Sequence, residues 1–225
     1  MKLTDKKAIF FDLDGTLIDS VPDLALAVNE MLAALGKETF DESVIRYWVG
    51  NGAQTLVKRA LLGKRDVDNA AVKTALFEKA LDIFLQAYRS HLCDATRPYP
   101  HVPETIKELS QRGCRLAIIT NKPEPFIVPI LEGLGLKHYF EAWLGGDSLP
   151  TKKPDPQPLL HMCETFNITV EDAVMVGDSK NDILAANACG MASVGVTYGY
   201  NYGEDIAVHQ PTVVIEKFEA LLNIL

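Results

Sequence analysis

Two switches of hydrophobic rhythm constrain this chain more than any other feature. Ala8-Ile9-Phe10-Phe11 is a short apolar run that passes directly into Asp12-Leu13-Asp14-Gly15, the pattern of a buried strand ending in a loop. From Pro22 to about Leu92 the spacing is helical. Leu24, Ala27, Val28, Met31, Leu32 and Leu35 recur at helical spacing until Gly36 stops the run. Residues 42–49 predict a shorter helix broken by Gly50-Asn51-Gly52, and Ala53–Leu62 a third. Leu76, Ala80, Phe84 and Tyr88 mark one face of a longer fourth. After Pro98-Tyr99-Pro100, short apolar strands return at Arg115–Ile119, Ala142–Leu144, 173–176 and Ala192–Val196. Helical segments near 104–112, 125–134, 156–166 and 182–188 separate them.

Strands alternating with helices in this way predict a parallel sheet covered on both faces. The expected class is α/β, a doubly wound parallel sheet that includes the run beginning at Ala8. The helical stretch is then an insertion, residues 17–92, set into a core made of residues 1–16 and 93–225. A chain of 225 residues buries roughly 70% of its unfolded surface and needs no disulfide or structural metal to fold. Ligands of such sheets bind beyond the carboxyl ends of the strands.

Charge narrows the partners. With 30 acidic and 22 basic side chains the net charge is -8, which repels nucleic acid and anionic membranes, so neither is an expected partner. An anionic ligand needs locally concentrated positive charge, from a divalent cation or a buried lysine. Cys93, Cys114, Cys163 and Cys189 form no Cys-x-x-Cys pair and read as reduced, packed thiols. No segment approaches the ~20 apolar residues of a membrane span, and the charged N-terminus lacks a signal-peptide run. A cytoplasmic location is expected.

This topology delivers four polar clusters to one sheet edge. Asp12-Leu13-Asp14-Gly15-Thr16 follows the first strand, and Thr120-Asn121-Lys122 follows Arg115–Ile119. Lys152-Lys153-Pro154 precedes the helix near Pro156, and Gly177-Asp178-Ser179-Lys180-Asn181-Asp182 follows 173–176. Each alone has a plain structural explanation as a turn, a helix cap or a solvated loop. Arriving together, Asp12, Asp14 and Asp178 repel one another unless a cation lies between them. Oxygen-only ligands with room for water suit Mg²⁺. An ionised aspartate is a usable nucleophile at neutral pH without a separate base. Mg²⁺ and a lysine together neutralise it and an anionic phosphate. Asp14, two residues on, is placed to protonate a leaving alcohol and later to activate water.

At these residues a family resemblance becomes plain. Phe11-Asp12-Leu13-Asp14-Gly15-Thr16-Leu17, Thr120-Asn121, Lys153-Pro154 and Gly177-Asp178-Ser179-Lys180-Asn181-Asp182 resemble, in order and spacing, the four motifs of the haloacid dehalogenase superfamily. The resemblance spans nearly the whole chain. It implies Asp12 as nucleophile and Asp14 as general acid/base. It implies Thr120 and Lys153 on the phosphate with Asn121 beside it, and Asp12, the Asp14 backbone carbonyl and Asp178 as Mg²⁺ ligands. Asp182 would support the metal shell or orient Lys153. The helical insertion resembles the type 1 cap that closes over the site.

Asp14 argues against dehalogenation, because the superfamily's dehalogenases lack this second aspartate while its phosphatases and phosphomutases keep it. Within the phosphatases, Trp48-Val49-Gly50-Asn51-Gly52-Ala53, Lys152-Lys153-Pro154-Asp155-Pro156 and Gly195-Val196-Thr197-Tyr198-Gly199-Tyr200 are similar to the bacterial phosphoglycolate phosphatases. That implies hydrolysis of 2-phosphoglycolate to glycolate and phosphate. A closed cap leaves little room for a bulky leaving group, and a substrate carboxylate needs a cation or amide-rich surface. Arg46, Lys58, Arg59 and the backbone N–H groups of Gly50, Asn51 and Gly52 are the candidates. A phosphosugar phosphatase, a phosphosugar mutase or a pyrophosphatase on the same scaffold stays open, as does a catalytically silent regulatory protein that binds phosphate. The expected partner is a small phosphorylated metabolite, and the expected assembly is a monomer or dimer.

Overall fold

Strand β1 (Ala8–Phe11) lies at the middle of the molecule, and none of its four side chains reaches solvent. In the computed structural model, which describes residues 3–67 and 72–225, the chain continues through β2 (Ile18–Asp19) into α1 (Val21–Ala34), α2 (Glu42–Arg46), α3 (Ala53–Leu62) and α4 (Thr74–Ser90). It returns through β3 (Arg97–Pro98) to α5 (Val102–Gln111), β4 (Arg115–Ile119), α6 (Ile127–Gly133) and β5 (Ala142–Leu144). Then follow α7 (Gln157–Phe166), β6 (Ala173–Gly177), α8 (Lys180–Cys189), β7 (Ala192–Val196), β8 (Val213–Ile215) and α9 (Leu221–Ile224).

The main sheet has the order β5-β4-β1-β6-β7-β8, and every pairing in it is parallel. Side chains alternate between its faces. Phe10, Ala117 and Met175 pack with Leu159, Met162 and Phe166 of α7 and with Ala185 and Ala186 of α8. Ile9, Phe11, Ile118 and Val176 face the opposite way, in the layer that holds Ile106 of α5 and Ile130 of α6. Burial on both sides explains why these strands are continuous apolar runs, each large side chain contributing about 1.5–3 kcal/mol. This is the doubly wound sheet expected from the alternation. Strand β8 was not among the expected strands. It is an edge strand of three residues with Val214 exposed, too short and too wet to stand out from a loop.

Helices α1 to α4 leave and rejoin the sheet through a two-stranded ribbon, in which Ile18 pairs with Pro98 and Asp19 with Arg97. Pro22 near the start of α1 suits a first helical turn, where its missing N–H is no loss. Asp23, fully buried, accepts from the Ala95 and Thr96 N–H groups and the Thr96 hydroxyl, tying α1 to the returning chain. Helix α2 ends at Arg46 rather than at residue 49 because Tyr47 and Trp48 donate to Val44 and Ile45, tightening the last turn. No helix among the described residues is long and apolar enough to cross a membrane.

Candidate active site

The register of three central strands builds the site. Phe11 of β1 lies opposite Ile118 of β4 and Val176 of β6, so Asp12, Thr120 and Asp178 leave the sheet at one edge. The connections diverge to either side of β1, which opens a crevice there. The Asp12 N–H still donates to the Val176 carbonyl at 2.9 Å, continuing the sheet by one bond before the chain turns away.

Asp12 Oδ1 accepts from the Leu13 N–H at 2.7 Å and lies 3.2 Å from Lys153 Nζ. Lys153 is only 1% exposed. Its ammonium also donates to the Ile119 carbonyl and to Asp182 Oδ1. The other oxygen of Asp182 accepts from the Ser179 N–H and hydroxyl at 3.0 and 2.9 Å, the capping box of α8. One carboxylate therefore caps a helix and orients the buried lysine.

Asp178 accepts from the Thr16 hydroxyl and the Tyr200 N–H, both at 2.8 Å. Two glycines make room for it. Gly15 has φ +90°, and a Cβ there would sit 2.4 Å from Asp178 Oδ2. A Cβ on Gly199 would sit 2.1 Å from the Cβ of Asp178. Asp14 is held separately, by Lys122 Nζ at 2.8 and 3.1 Å and by the Ser20 hydroxyl. Lys122 was absent from the expected site residues, although it directly follows Thr120-Asn121 in the sequence.

Four carboxylates, Asp12, Asp14, Asp178 and Asp182, face two buried lysines, Lys122 and Lys153. Burial raises Asp12 above the usual carboxylate range, Lys153 opposes, and Asp182 and Asp14 add to the rise. Burial, then Asp12 and Asp182, raise Asp178. Lys153 stays raised because its two aspartates outweigh the cost of its burial, and Asp14 and Tyr88 do the same for Lys122. Oxygens of Asp12, Asp178 and Asp182 lie within 4.8 Å of one another. An all-oxygen, over-negative set of this kind fits a hard divalent cation such as Mg²⁺. Asp182 has no exposed surface and is spent on orienting Lys153 and capping α8, which sets it behind Asp12 and Asp178 in this group.

A small cavity of about 40 Å³ lies between the sheet edge and the inserted helices. Asp12, Asp14, Thr120 and Lys122 form its polar end, and Val49, Leu56, Phe84, Tyr88 and Phe126 its apolar wall. Gly50 and Gly52 border it from the segment between α2 and α3. That segment is latched to the sheet edge. The Gly50 carbonyl accepts from Asn121 Nδ2 at 3.3 Å and Asn181 Nδ2 at 3.0 Å. The Asn51 carbonyl accepts from Lys152 at 2.9 Å, and Asn51 Oδ1 from the Tyr202 hydroxyl at 2.8 Å.

Asn121 borders the cavity, and its amide N–H groups donate to the Gly50 carbonyl and to the Lys153 carbonyl at 2.9 Å, so it also ties loops together. Several other expectations are redirected by this geometry. Asn51 faces Tyr202 and Lys152 instead of the cavity. Arg46 forms a two-pronged pair with Asp19 and also meets Glu42. Arg59 donates to the Trp48 and Arg65 carbonyls, and Lys58 lies over the Phe77 ring. None of these three cations lines the cavity. Tyr200 and Asn181, which brace the site, were legible only as part of longer strings, and Tyr202 lay outside every string, because their partners lie far away in sequence.

Comparison with known proteins identifies the family of the chain. The family model of the haloacid dehalogenase-like hydrolases matches residues 6–190. The chain is 52% identical over 222 residues to a phosphoglycolate phosphatase of Colwellia psychrerythraea, covering 99% of this chain and 98% of that protein. It is 49% identical to a phosphoglycolate phosphatase of Psychrobacter arcticus, covering 98% and 96%. Among solved structures, a predicted phosphoglycolate phosphatase from Haemophilus somnus superimposes with a TM-score of 0.91 at 40% identity, covering 98% of each chain.

Proposed function

The chain belongs to the haloacid dehalogenase-like hydrolases, and from that premise we propose that it is a Mg²⁺-dependent phosphatase that hydrolyses 2-phosphoglycolate through a phosphorylated Asp12. The observation that carries this reading is the division of two neighbouring carboxylates between two lysines. Asp12 faces Lys153 and Asp14 faces Lys122, at the polar end of one small cavity. Two carboxylates in different environments suit two different roles.

In this reading Asp12 attacks phosphorus as the bond to the leaving oxygen breaks, and Asp14 gives that oxygen its proton. Asp14 then takes a proton from water, whose oxygen attacks the same phosphorus and frees the Asp12 carboxylate and inorganic phosphate. Lys153, fixed by Asp182, balances charge on the nucleophile and the transferring group. Thr120 offers its hydroxyl at the cavity's polar end. Asp12, Asp178 and the Asp14 carbonyl would hold Mg²⁺, and the ion would neutralise charge on the nucleophile and the phosphate. Residues 17–92 act as a cap over the core of 1–16 and 93–225, and the smallness of the cavity limits the leaving group. The names of the two bacterial relatives, similar along almost their whole length, support the substrate.

Phosphate release from 2-phosphoglycolate, sugar phosphates and pyrophosphate tests the reading, with Mg²⁺, with chelator, and with Asp12→Asn as control. Preferred turnover of 2-phosphoglycolate, lost with chelator and in the variant, is expected. Preference for a sugar phosphate would remove the substrate but keep the aspartate chemistry. Normal turnover by Asp12→Asn would remove the chemistry itself.

A further inference from the structure

Among the described residues lining the cavity, Lys122 is the only lysine or arginine. Its ammonium is buried, makes contacts of 2.8 and 3.1 Å to the two oxygens of Asp14, and lies 4.7 Å from the centre of the Tyr88 ring. An ammonium carries three N–H donors, so pairing with Asp14 leaves donor capacity for a ligand. Tyr88 borders the same cavity with its hydroxyl buried, and that hydroxyl has no acceptor, since the neighbouring Lys122 ammonium can only donate. A buried hydroxyl without an acceptor is unfavourable and calls for one brought in from outside. Apart from Thr120, Asn121 and the backbone of Gly50 and Gly52, the rest of the wall, including Val49, Leu56 and Phe84, is apolar and offers few partners to a polyhydroxylated group.

We propose that Lys122 and Tyr88 form the subsite for a carboxylate carried on the carbon next to the leaving oxygen. This rests on the phosphoglycolate reading above and names the residues that recognise such a substrate. Its geometry follows from the ligand's chemistry. In 2-phosphoglycolate only the O–CH2 and CH2–C bonds separate the leaving oxygen from the carboxylate carbon. A cation that binds the carboxylate must therefore stand beside the group that protonates the leaving oxygen. Lys122 stands beside Asp14. Arg46, Arg59 and Lys58, all outside the cavity lining, do not. The same pairing keeps the ligand's anionic end from facing Asp14 without a cation between them.

The test compares kcat/KM for 2-phosphoglycolate and for its neutral amide, glycolamide phosphate, in the Mg²⁺-loaded wild type, Lys122→Met and Tyr88→Phe. The wild type should prefer the acid by roughly tenfold or more, as expected for hydrogen bonds to a charged group. Lys122→Met should slow both substrates, because Asp14 loses its partner, and bring their ratio near one. Tyr88→Phe keeps the ring in place and should cut the preference several-fold, chiefly through KM of the acid; it carries the test if Lys122→Met does not fold. An unchanged acid-to-amide ratio in Lys122→Met, or an unchanged KM for the acid in Tyr88→Phe, overturns the subsite. So does a wild type that treats acid and amide alike, whichever ester it turns over best. Best turnover of another ester with an adjacent carboxylate, such as 2-phospholactate, with the preference lost in Lys122→Met, would uphold the subsite and remove only the phosphoglycolate assignment.

Discussion

Lys153 Nζ donates to Asp182 Oδ1 at 2.5 Å across 29 residues of sequence, and the same ammonium faces Asp12 at 3.2 Å. Asp182 thereby decides where the charge nearest Asp12 is placed. Asp182→Ala removes that acceptor and the capping box at Ser179. Breaking a buried pair costs about 3–5 kcal/mol, and relief of the repulsion between Asp182 and Asp12 offsets part of it. A net loss of about 2–3 kcal/mol in urea unfolding is expected, with turnover down by about tenfold or more as Lys153 loses its aim. An unchanged urea midpoint would remove this role.

Metal-free protein should become less stable as pH rises. Asp12 and Asp178 are both raised in the fold from the ordinary aspartate value of 3.8, chiefly by burial. The fold thus favours their protonated forms, so their contribution is fully present below 3.8 and is lost as pH climbs through the raised values. With chelator present, Tm should fall from about pH 5 to about pH 8, and Mg²⁺ should raise Tm more at the upper end. Asp12→Asn should flatten this fall, because it removes one of the two groups, while losing at least about 10³-fold in turnover. A metal-free Tm that holds steady or climbs over that range would contradict the account.

Gly199→Ala tests the close approach to Asp178. The added Cβ meets the Cβ of Asp178 at 2.1 Å, so the strand end or the carboxylate must move. Overpacking of this kind costs about 1–3 kcal/mol. Because Asp178 is displaced, the concentration of Mg²⁺ needed for half-maximal stabilisation should also rise several-fold. Thermal unfolding across a Mg²⁺ titration measures both, and a wild-type Mg²⁺ dependence would show that Asp178 tolerates the shift.

Asn181 joins the sheet edge to the segment between α2 and α3 through the Gly50 carbonyl at 3.0 Å, and it also donates at 3.2 Å to the Tyr202 hydroxyl, which donates to Asn51 Oδ1. Asn181→Ala should loosen that latch. KM for a small substrate should rise several-fold, with turnover of bulkier phosphate esters gaining relative to it. A panel of esters of graded size reads this directly; an unchanged size profile would mean the latch does not restrict access.

The strands of the sheet were legible because burial on both faces makes them continuous apolar runs, as Ala8–Phe11 and Ala173–Gly177 show. The helices were legible from their periodicity, and Ala53–Leu62 coincides with its expected span. Strand β8 was not, since one buried residue, Ile215, in three carries no period. At the site, Asp12 and Asp178 stood out because each follows a strand directly, and Asp14 because it lies two residues beyond Asp12. Tyr88 looked like one more apolar position on a helix face, and nothing local distinguishes its hydroxyl, which lacks an acceptor.

The sequence by itself determined which segments are strands or helices and which acids stand at the strand ends, because those properties depend on neighbours a few residues apart. Its motifs picked out Lys153 for a phosphate but left Lys122 and Lys152 as similar lysines in polar loops, and gave none of the three its partner. Only the tertiary structure assigned those partners. Lys153 goes to Asp12 and Asp182, Lys122 to Asp14, and Lys152 to the Asn51 carbonyl. That division depends on the register of β1 between β4 and β6 and on where the inserted helices rest. Both are fixed by contacts between residues far apart in the chain, which no local spacing encodes.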